Sequence, residues 1–418
     1  MILIKLIFIS LLLISNSIFA AGFYISEIGT PGSLGTAGVA NPVSADEVLP
    51  KSNSQETVDV LRDVDIVFNQ DYESLIVAAA ETNDTGESNV SSSNDNENDD
   101  VSAECLKFKA DVDADVGNVL RAGCQPSTAQ MAKLMDNPLG NIAMMLNQYD
   151  IIRLRNSANG KEKNQGNFMS ILQFPLNLSE NWNIINRVVF NVPSSPIDQD
   201  KVDRLGTSPP QSGPPPPLGT PPALIDAIGG RTDGFGDMYY VALFSPKKPI
   251  EYDNLAGKGV WGVGFDLGFP TASEDVLGSD KWTAGPSALY AYLGPKWKVG
   301  GLVQQYFDYA GPSDAGDVNL TNLQYLYYYS LSPTLSVGAA PNIIVDWEQS
   351  SGNRLTLPIG LGVNKTINIG KVPVRFAVEF HYSVIRPDDI PGADWNLRFN
   401  IIPAAPSALF RWMNKQIF

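Results

Sequence analysis

Histidine is nearly absent: one ring, His381, occurs in 418 residues. A metal centre built on several imidazoles is therefore excluded, and histidine-based catalysis could form only around that one position. Cysteine is as scarce, with Cys105 and Cys124 alone. Two thiols with a single distant imidazole are a poor zinc set, so no metal is expected. Positive charge is short as well, 29 Lys and Arg against 45 Asp and Glu for a net of −16, which argues against nucleic acid as a partner. Beyond the N-terminal residues no run of 18 apolar side chains occurs, so no transmembrane helix is expected. A phosphate-cradling glycine loop is also missing. The nearest stretch, GVGFDLG (Gly262–Gly268), lies inside a strand-like run and reads as close packing or bulges. Nothing calls for a cofactor or for an enzyme. Carboxylate pairs suited to glycosidic chemistry stay open, because spacing across strands is invisible in a sequence.

What is present begins with MILIKLIFISLLLISNSIFA, one lysine and an apolar run ending in small residues. It reads as a signal peptide over 1–20, with an uncleaved anchor as the alternative. Export makes a Cys105–Cys124 disulfide the expected pairing, stabilising by about 3 kcal/mol on the chain-entropy model. A Gly-rich segment follows over 21–50. Next, 51–104 carries 14 acids against Lys51 and Arg62, a composition expected to stay disordered. A Cys-containing periplasmic segment is expected over 105–145. In it, DVDADVGN (Asp111–Asn118) misplaces the glycine and the closing acid of a calcium loop and reads as solvated acids.

From about residue 146 the texture becomes alternating. VRFAVEFHYSV (Val374–Val384) places Val374, Phe376, Val378, Phe380, Tyr382 and Val384 on one face. Arg375, Ala377, Glu379, His381 and Ser383 occupy the other. Period two means strand, and one apolar face with one mixed-charge face suits a wall between lipid and a watery lumen. Twelve such runs are expected: 146–154, 168–176, 181–192, 236–245, 259–269, 283–293, 297–307, 321–331, 334–347, 354–368, 372–384 and 394–402. Short connections alternate with long ones, as in bacterial outer-membrane barrels. The longest, 193–235, contains PPQSGPPPPLGTPP (Pro209–Pro222), which cannot enter a ladder. Aromatics near strand ends (Tyr290, Tyr292, Trp297, Tyr306, Tyr325, Tyr329 and Trp347) are expected to form interfacial girdles.

The expected architecture is thus all-β: an antiparallel outer-membrane β-barrel of about 12 strands over 146–402. The Pro-rich 193–235 is an outer loop, the N-terminal part is irregular, and 403–418 is a C-terminal tail. Pro403 and Pro406 are expected to separate the last strand from Phe418. The lumen candidates are Arg187, Asp266, Gln324, Asn342, Asp346, Arg375, Glu379, His381 and Arg398. Such mixed-sign rings can tune selectivity or brace a narrow barrel, and both roles stay open. His381 bonded to Glu379 is the plain reading, and a Ser-His-acid site is the chemical alternative.

Several segments in order, NPLGNI (Asn137–Ile142), FPLNLSENWNIINRVVFNVP (Phe174–Pro193), GFGDMYYVALFSP (Gly234–Pro246), GFPTASEDVLGSDKWTAGPSA (Gly268–Ala288) and LPIGLGVNK (Leu357–Lys365), resemble a bacterial family. It is the one labelled as the MetA pathway of phenol degradation, transporter-like outer-membrane proteins, and the match covers roughly 130–402. GFYISEIGTPGSLGTAGVAN (Gly22–Asn41) is similar to the start of the FadL/TodX channels for fatty acids and aromatic hydrocarbons. In those proteins this part enters the lumen, so the resemblance implies a plug over 21–50. The acidic insert that follows departs from that pattern. Together these imply a bacterial outer-membrane channel for small hydrophobic or aromatic molecules, with membrane lipid around it and no chemistry. The rival class is a structural or interaction barrel with a filled lumen. The acidic 51–104 segment is the candidate surface for a periplasmic partner.

Overall fold

The computed structural model describes residues 103–111, 119, 122, 124–156, 160–205, 229–313, 315–370 and 372–406. The expected signal peptide, the Gly-rich and most of the acidic segment, most of DVDADVGN, the Pro-rich stretch and Phe418 lie outside them.

Twelve strands form the wall: β1 (Ile142–Asn156), β2 (Glu162–Asn177), β3 (Trp182–Ile197), β4 (Met238–Pro246), β5 (Lys258–Phe269) and β6 (Trp282–Leu293). They continue as β7 (Trp297–Ala310), β8 (Asn319–Ser332), β9 in two pieces (Leu335–Ala339 and Asn342–Asp346), β10 (Leu355–Ile369), β11 (Val372–Ile385) and β12 (Pro391–Pro406). Each pairs antiparallel with its sequence neighbours, and β12 returns to pair with β1, for example Asp150 opposite Arg398. Closure leaves no unpaired edge, which is what lets strands cross a hydrocarbon layer. Among the described residues no helix is long and apolar enough to do so.

The faces decide the environment. On β11, Val378, Phe380 and Tyr382 are 47, 49 and 46% exposed, whereas Glu379, His381 and Ser383 between them are at most 5% exposed. Phe399 and Ile401 on β12, Val263 and Phe265 on β5 and Leu361 and Val363 on β10 are likewise exposed. Apolar side chains point out and polar ones point in, the inverse of a water-soluble barrel. This is a bacterial outer-membrane barrel. Aromatics mark its rims: Trp182 against Trp261 at 5.8 Å and Trp297 against Tyr329 at 4.9 Å on one side, Phe269 against Trp282 at 5.6 Å on the other.

Short turns lie on the side where both described ends of the barrel sequence emerge, which sets it as periplasmic. There Gly370 takes φ +61°, the left-handed conformation that the tight β10–β11 turn requires. The long outer loops hold their own small core, with Ile197, Val202, Val276 and Leu277 packed together. The helix Gln199–Leu205 and a short strand Gly229–Asp233 paired to β3 fall in the expected outer loop.

Several boundaries and one aromatic differ from expectation. Strand β1 starts at Ile142 and β2 at Glu162, because backbone pairing continues past the residues where alternation is clear. The last strand runs through Pro403, which faces Val374, to Pro406, which faces Ile142. A proline tolerates a ladder where its missing N–H faces no acceptor, so the tail begins later than 403. Finally, Tyr306 is no girdle residue: it is 3% exposed and points into the lumen, where it packs edge-on against Tyr239 at 5.5 Å.

The Cys-containing segment docks at the barrel's lower mouth, and its described part is helical where irregular chain was expected. Two helices, α1 (Ala103–Ala110) and α2 (Thr128–Met135), are tied by the Cys105–Cys124 disulfide and by Gln130, whose amide donates to the carbonyls of Phe108 (2.6 Å) and Asp111 (2.7 Å). Those carbonyls close the C-terminal end of α1, where intrahelical partners run out. Ser127 caps α2 reciprocally with Gln130. Met131 and Met135 then pack on Ile142 and Ala404 at the barrel's lower rim. The following turn drives Leu139 into a luminal cluster with Ile185, Val241, Leu243, Leu289 and Leu302.

Candidate functional site

Between that apolar floor and the outer loops the lumen holds a cavity of about 350 Å³. Its walls differ. The side formed by β8, β9, β11, β12 and β1 carries a continuous polar network. The break in β9 builds part of it. Pro341 has no N–H to give a ladder, and the preceding Ala340 turns both backbone groups inward. Its N–H donates to Glu379 at 3.0 Å, and its carbonyl accepts from Arg398 Nη1 at 3.0 Å. Glu379 also accepts from the Tyr328 hydroxyl at 2.8 Å and bonds His381 Nε2 at 2.9 Å. Arg398 Nε donates to Asp150 at 2.9 Å, and its Nη2 reaches Asn342 Oδ1 at 3.4 Å. Asp150 is further held by Gln148 at 2.5 Å and Asn396 at 2.8 Å. A buried ion pair needs further hydrogen bonds to offset its desolvation, and Asp150 and Arg398 each make two beyond their own contact.

Five of the expected lumen residues therefore meet on one wall: Gln324, Asn342, Glu379, His381 and Arg398, with Gln324 reaching the Ala340 carbonyl at 3.5 Å. The other four are apart. Arg375 lies lower, where it donates to Asp136 (2.7 Å) and the Ala132 carbonyl (2.8 Å) and so grips the end of α2. Lys298 holds the other oxygen of Asp136 at 2.7 Å. Asp266 is fully buried on the opposite wall, bonded to Ser287 at 2.5 Å, with its Oδ1 unpartnered. Asp346 sits at the outer rim, accepting from the Glu348 N–H of its own turn at 3.1 Å. Arg187 stands in the lower half of β3, bonded to Gln173 at 2.9 Å and to the Pro138 carbonyl at 3.3 Å.

Facing the ionic wall are Val189, Val241, Tyr239, Leu302, Tyr306 and Ile171. The cavity is thus amphipathic across its width. Chemically it can bind and orient, and the described side-chain partner of His381 is Glu379, at 2.9 Å. No group of three or more metal-ligating side chains occurs among the described residues either.

Sequence reasoning missed Asp150, Tyr328, Asp136 and Lys298. Asp150 sits in LNQYDIIRL, where both faces mix polar and apolar residues, so alternation is weak there. Tyr328 shares the parity of Asn322, Gln324 and Ser330, but as one of four tyrosines in YLYYY its residue type does not single it out. Asp136 stands outside any strand. The one usable signal was Asp150 itself, an acid inside a strand-like run.

No protein-family model matches the chain, and no curated protein matches it. The resemblance to the phenol-degradation family finds no counterpart there. Among solved structures, an outer membrane channel from Pseudomonas putida is 13% identical, with 63% of this chain and 96% of that one covered at a TM-score of 0.46. A Pseudomonas aeruginosa FadL homologue is 8% identical, covering 63% and 90%, at 0.30. Outer membrane phospholipase A from Escherichia coli is 11% identical, covering 66% and 97%, also at 0.30. These likenesses are too loose to carry an argument about function, and the barrel rests on its own strand pairing and faces.

Proposed function

We propose that the protein is an outer-membrane channel or transporter for small hydrophobic or aromatic molecules, closed at rest by α2 and its following turn. The observation that carries this reading is the cavity itself, one wall a continuous ionic network and the other largely aliphatic and aromatic with Gln173, Arg187, Asn191 and Gln304 set among it, bounded below by a docked helix. An apolar solute that still bears a polar group would find both partners across such a lumen. A twelve-stranded barrel is also narrower than an open porin, which suits single small solutes better than bulk diffusion. Of the nine residues read from the sequence as lining the path, Arg187, Gln324, Asn342, Arg375, Glu379, His381 and Arg398 border this cavity.

The test is uptake in liposomes carrying the purified mature protein, with phenol and sucrose compared. Faster phenol entry supports the reading; equal entry with and without protein refutes it. A second reading, a structural or interaction barrel, is favoured by the tight packing of Leu139 and the Asp136 contacts. Deleting 51–104 separates the two, since a lost partner with retained uptake would place interaction in that segment alone.

A further inference from the structure

Arg187 differs from the luminal cations Arg398, Arg375 and Lys298 in having no carboxylate partner among the described residues. Arg398 pairs with Asp150 (2.9 Å), and Arg375 and Lys298 share Asp136 (both 2.7 Å). Arg187 forms no ion pair among the described residues. Its guanidinium is held only by a neutral amide and a backbone carbonyl, and its Nη1 makes no hydrogen bond there. A cation in a largely apolar enclosure, without a counter-charge, is costly to keep unless an anion completes it.

A second unspent donor lies beside it. Gln173 faces Arg187 directly across the β2–β3 ladder. Since arginine can only donate, Gln173 must present its oxygen to Arg187 Nε. This fixes the amide orientation and leaves Nε2 without a partner, on a side chain 5% exposed. Both residues line the cavity, with Ile171, Val189, Val241 and Leu302 around them. Two sets of unspent N–H donors, one cationic and forked, among aliphatic walls match a carboxylate on an apolar body.

We propose that Arg187 and Gln173 form a subsite for the carboxylate of a small aromatic or aliphatic monocarboxylic acid. The proposal rests on the channel reading for its biological setting and names the solute class of that lumen. The carboxylate bonds the guanidinium and the Gln173 amide, while the apolar body lies on the Val189–Val241–Leu302 side. No bond is made or broken.

The test uses full-length mature protein in neutral detergent, with benzoate and uncharged benzyl alcohol as probes in titration calorimetry. Benzoate is expected to bind about tenfold or more tighter than benzyl alcohol, the difference one charge-assisted contact supplies. Arg187→Met should abolish that preference, and Gln173→Leu should reduce it several-fold while keeping the charge. Arg187→Lys, which keeps charge without the fork, reads the same preference should Arg187→Met fail to fold. Equal binding of the two probes, or a preference unchanged in these variants, overturns the subsite. Liposome uptake is read in parallel. Arg187-dependent benzoate binding without uptake of either probe would sink the channel reading and leave the subsite standing. Uptake with no dependence of the preference on Arg187 would overturn the subsite alone.

Discussion

Replacing Asp136 by Asn removes one charge from a three-membered contact at the foot of the lumen. In the wild type its two oxygens meet Arg375 and Lys298, each at 2.7 Å, and both the acid and Arg375 are 12% exposed at the side chain. The variant keeps the size and one acceptor. Arg375 also retains the Ala132 carbonyl at 2.8 Å, and Lys298 retains the Ser330 hydroxyl. The loss is therefore the ionic part of two contacts, about 3 kcal/mol after the surviving bonds are counted. That is about 150-fold in the ratio of docked to undocked α2. Met131, Met135 and Leu139 remain packed, so the helix should stay docked most of the time and leave more often. Planar-bilayer recording reads this directly: wild type mostly silent, Asp136→Asn with frequent brief openings. Raising salt in the wild type should move it weakly the same way, because a contact this buried is poorly screened. Opening statistics identical in the two proteins, with heat-modifiable migration proving both folded, would refute the assignment of α2 as the closure.

Further outcomes follow from the wall. Arg398→Met should destabilise the barrel by about 3–5 kcal/mol by orphaning Asp150, and adding Asp150→Leu should recover most of it, as read from urea midpoints in detergent. Gly285→Ala would set a Cβ 1.5 Å from the Gln305 carbonyl, a backbone atom that cannot step aside. Its cost, about 3 kcal/mol or more, should appear as reduced folding yield. Val378→Arg, on the lipid face, should cost about 2–4 kcal/mol near the bilayer midplane, checked by folding equilibria into vesicles. Arginine at luminal Gln324 should instead leave stability nearly unchanged and raise anion preference in reversal-potential measurements.

Much of this architecture was legible in the chain itself. Alternation in Trp261–Phe269 and Val374–Val384 placed the lipid and lumen faces correctly, because a two-residue period and an inside-outside polarity are local properties of a strand. Legibility failed where the local pattern was mixed, as at Asp150, or where neighbouring residues were all of one type, as at Tyr328. It also failed at Tyr306, since an aromatic near a strand end can serve a girdle or a lumen and only register distinguishes them.

What the sequence determined alone is the strand content, the alternating loop lengths, the sidedness of β11 and the export-compatible pair Cys105 and Cys124. What only tertiary structure decided is which luminal residues meet. Asp150 and Arg398 are 248 positions apart and touch because β12 closes on β1. Asp136 meets Arg375 because a helix docks in the mouth. Contacts of that kind depend on closure, shear and docking, which are properties of the whole barrel, and no single strand carries them.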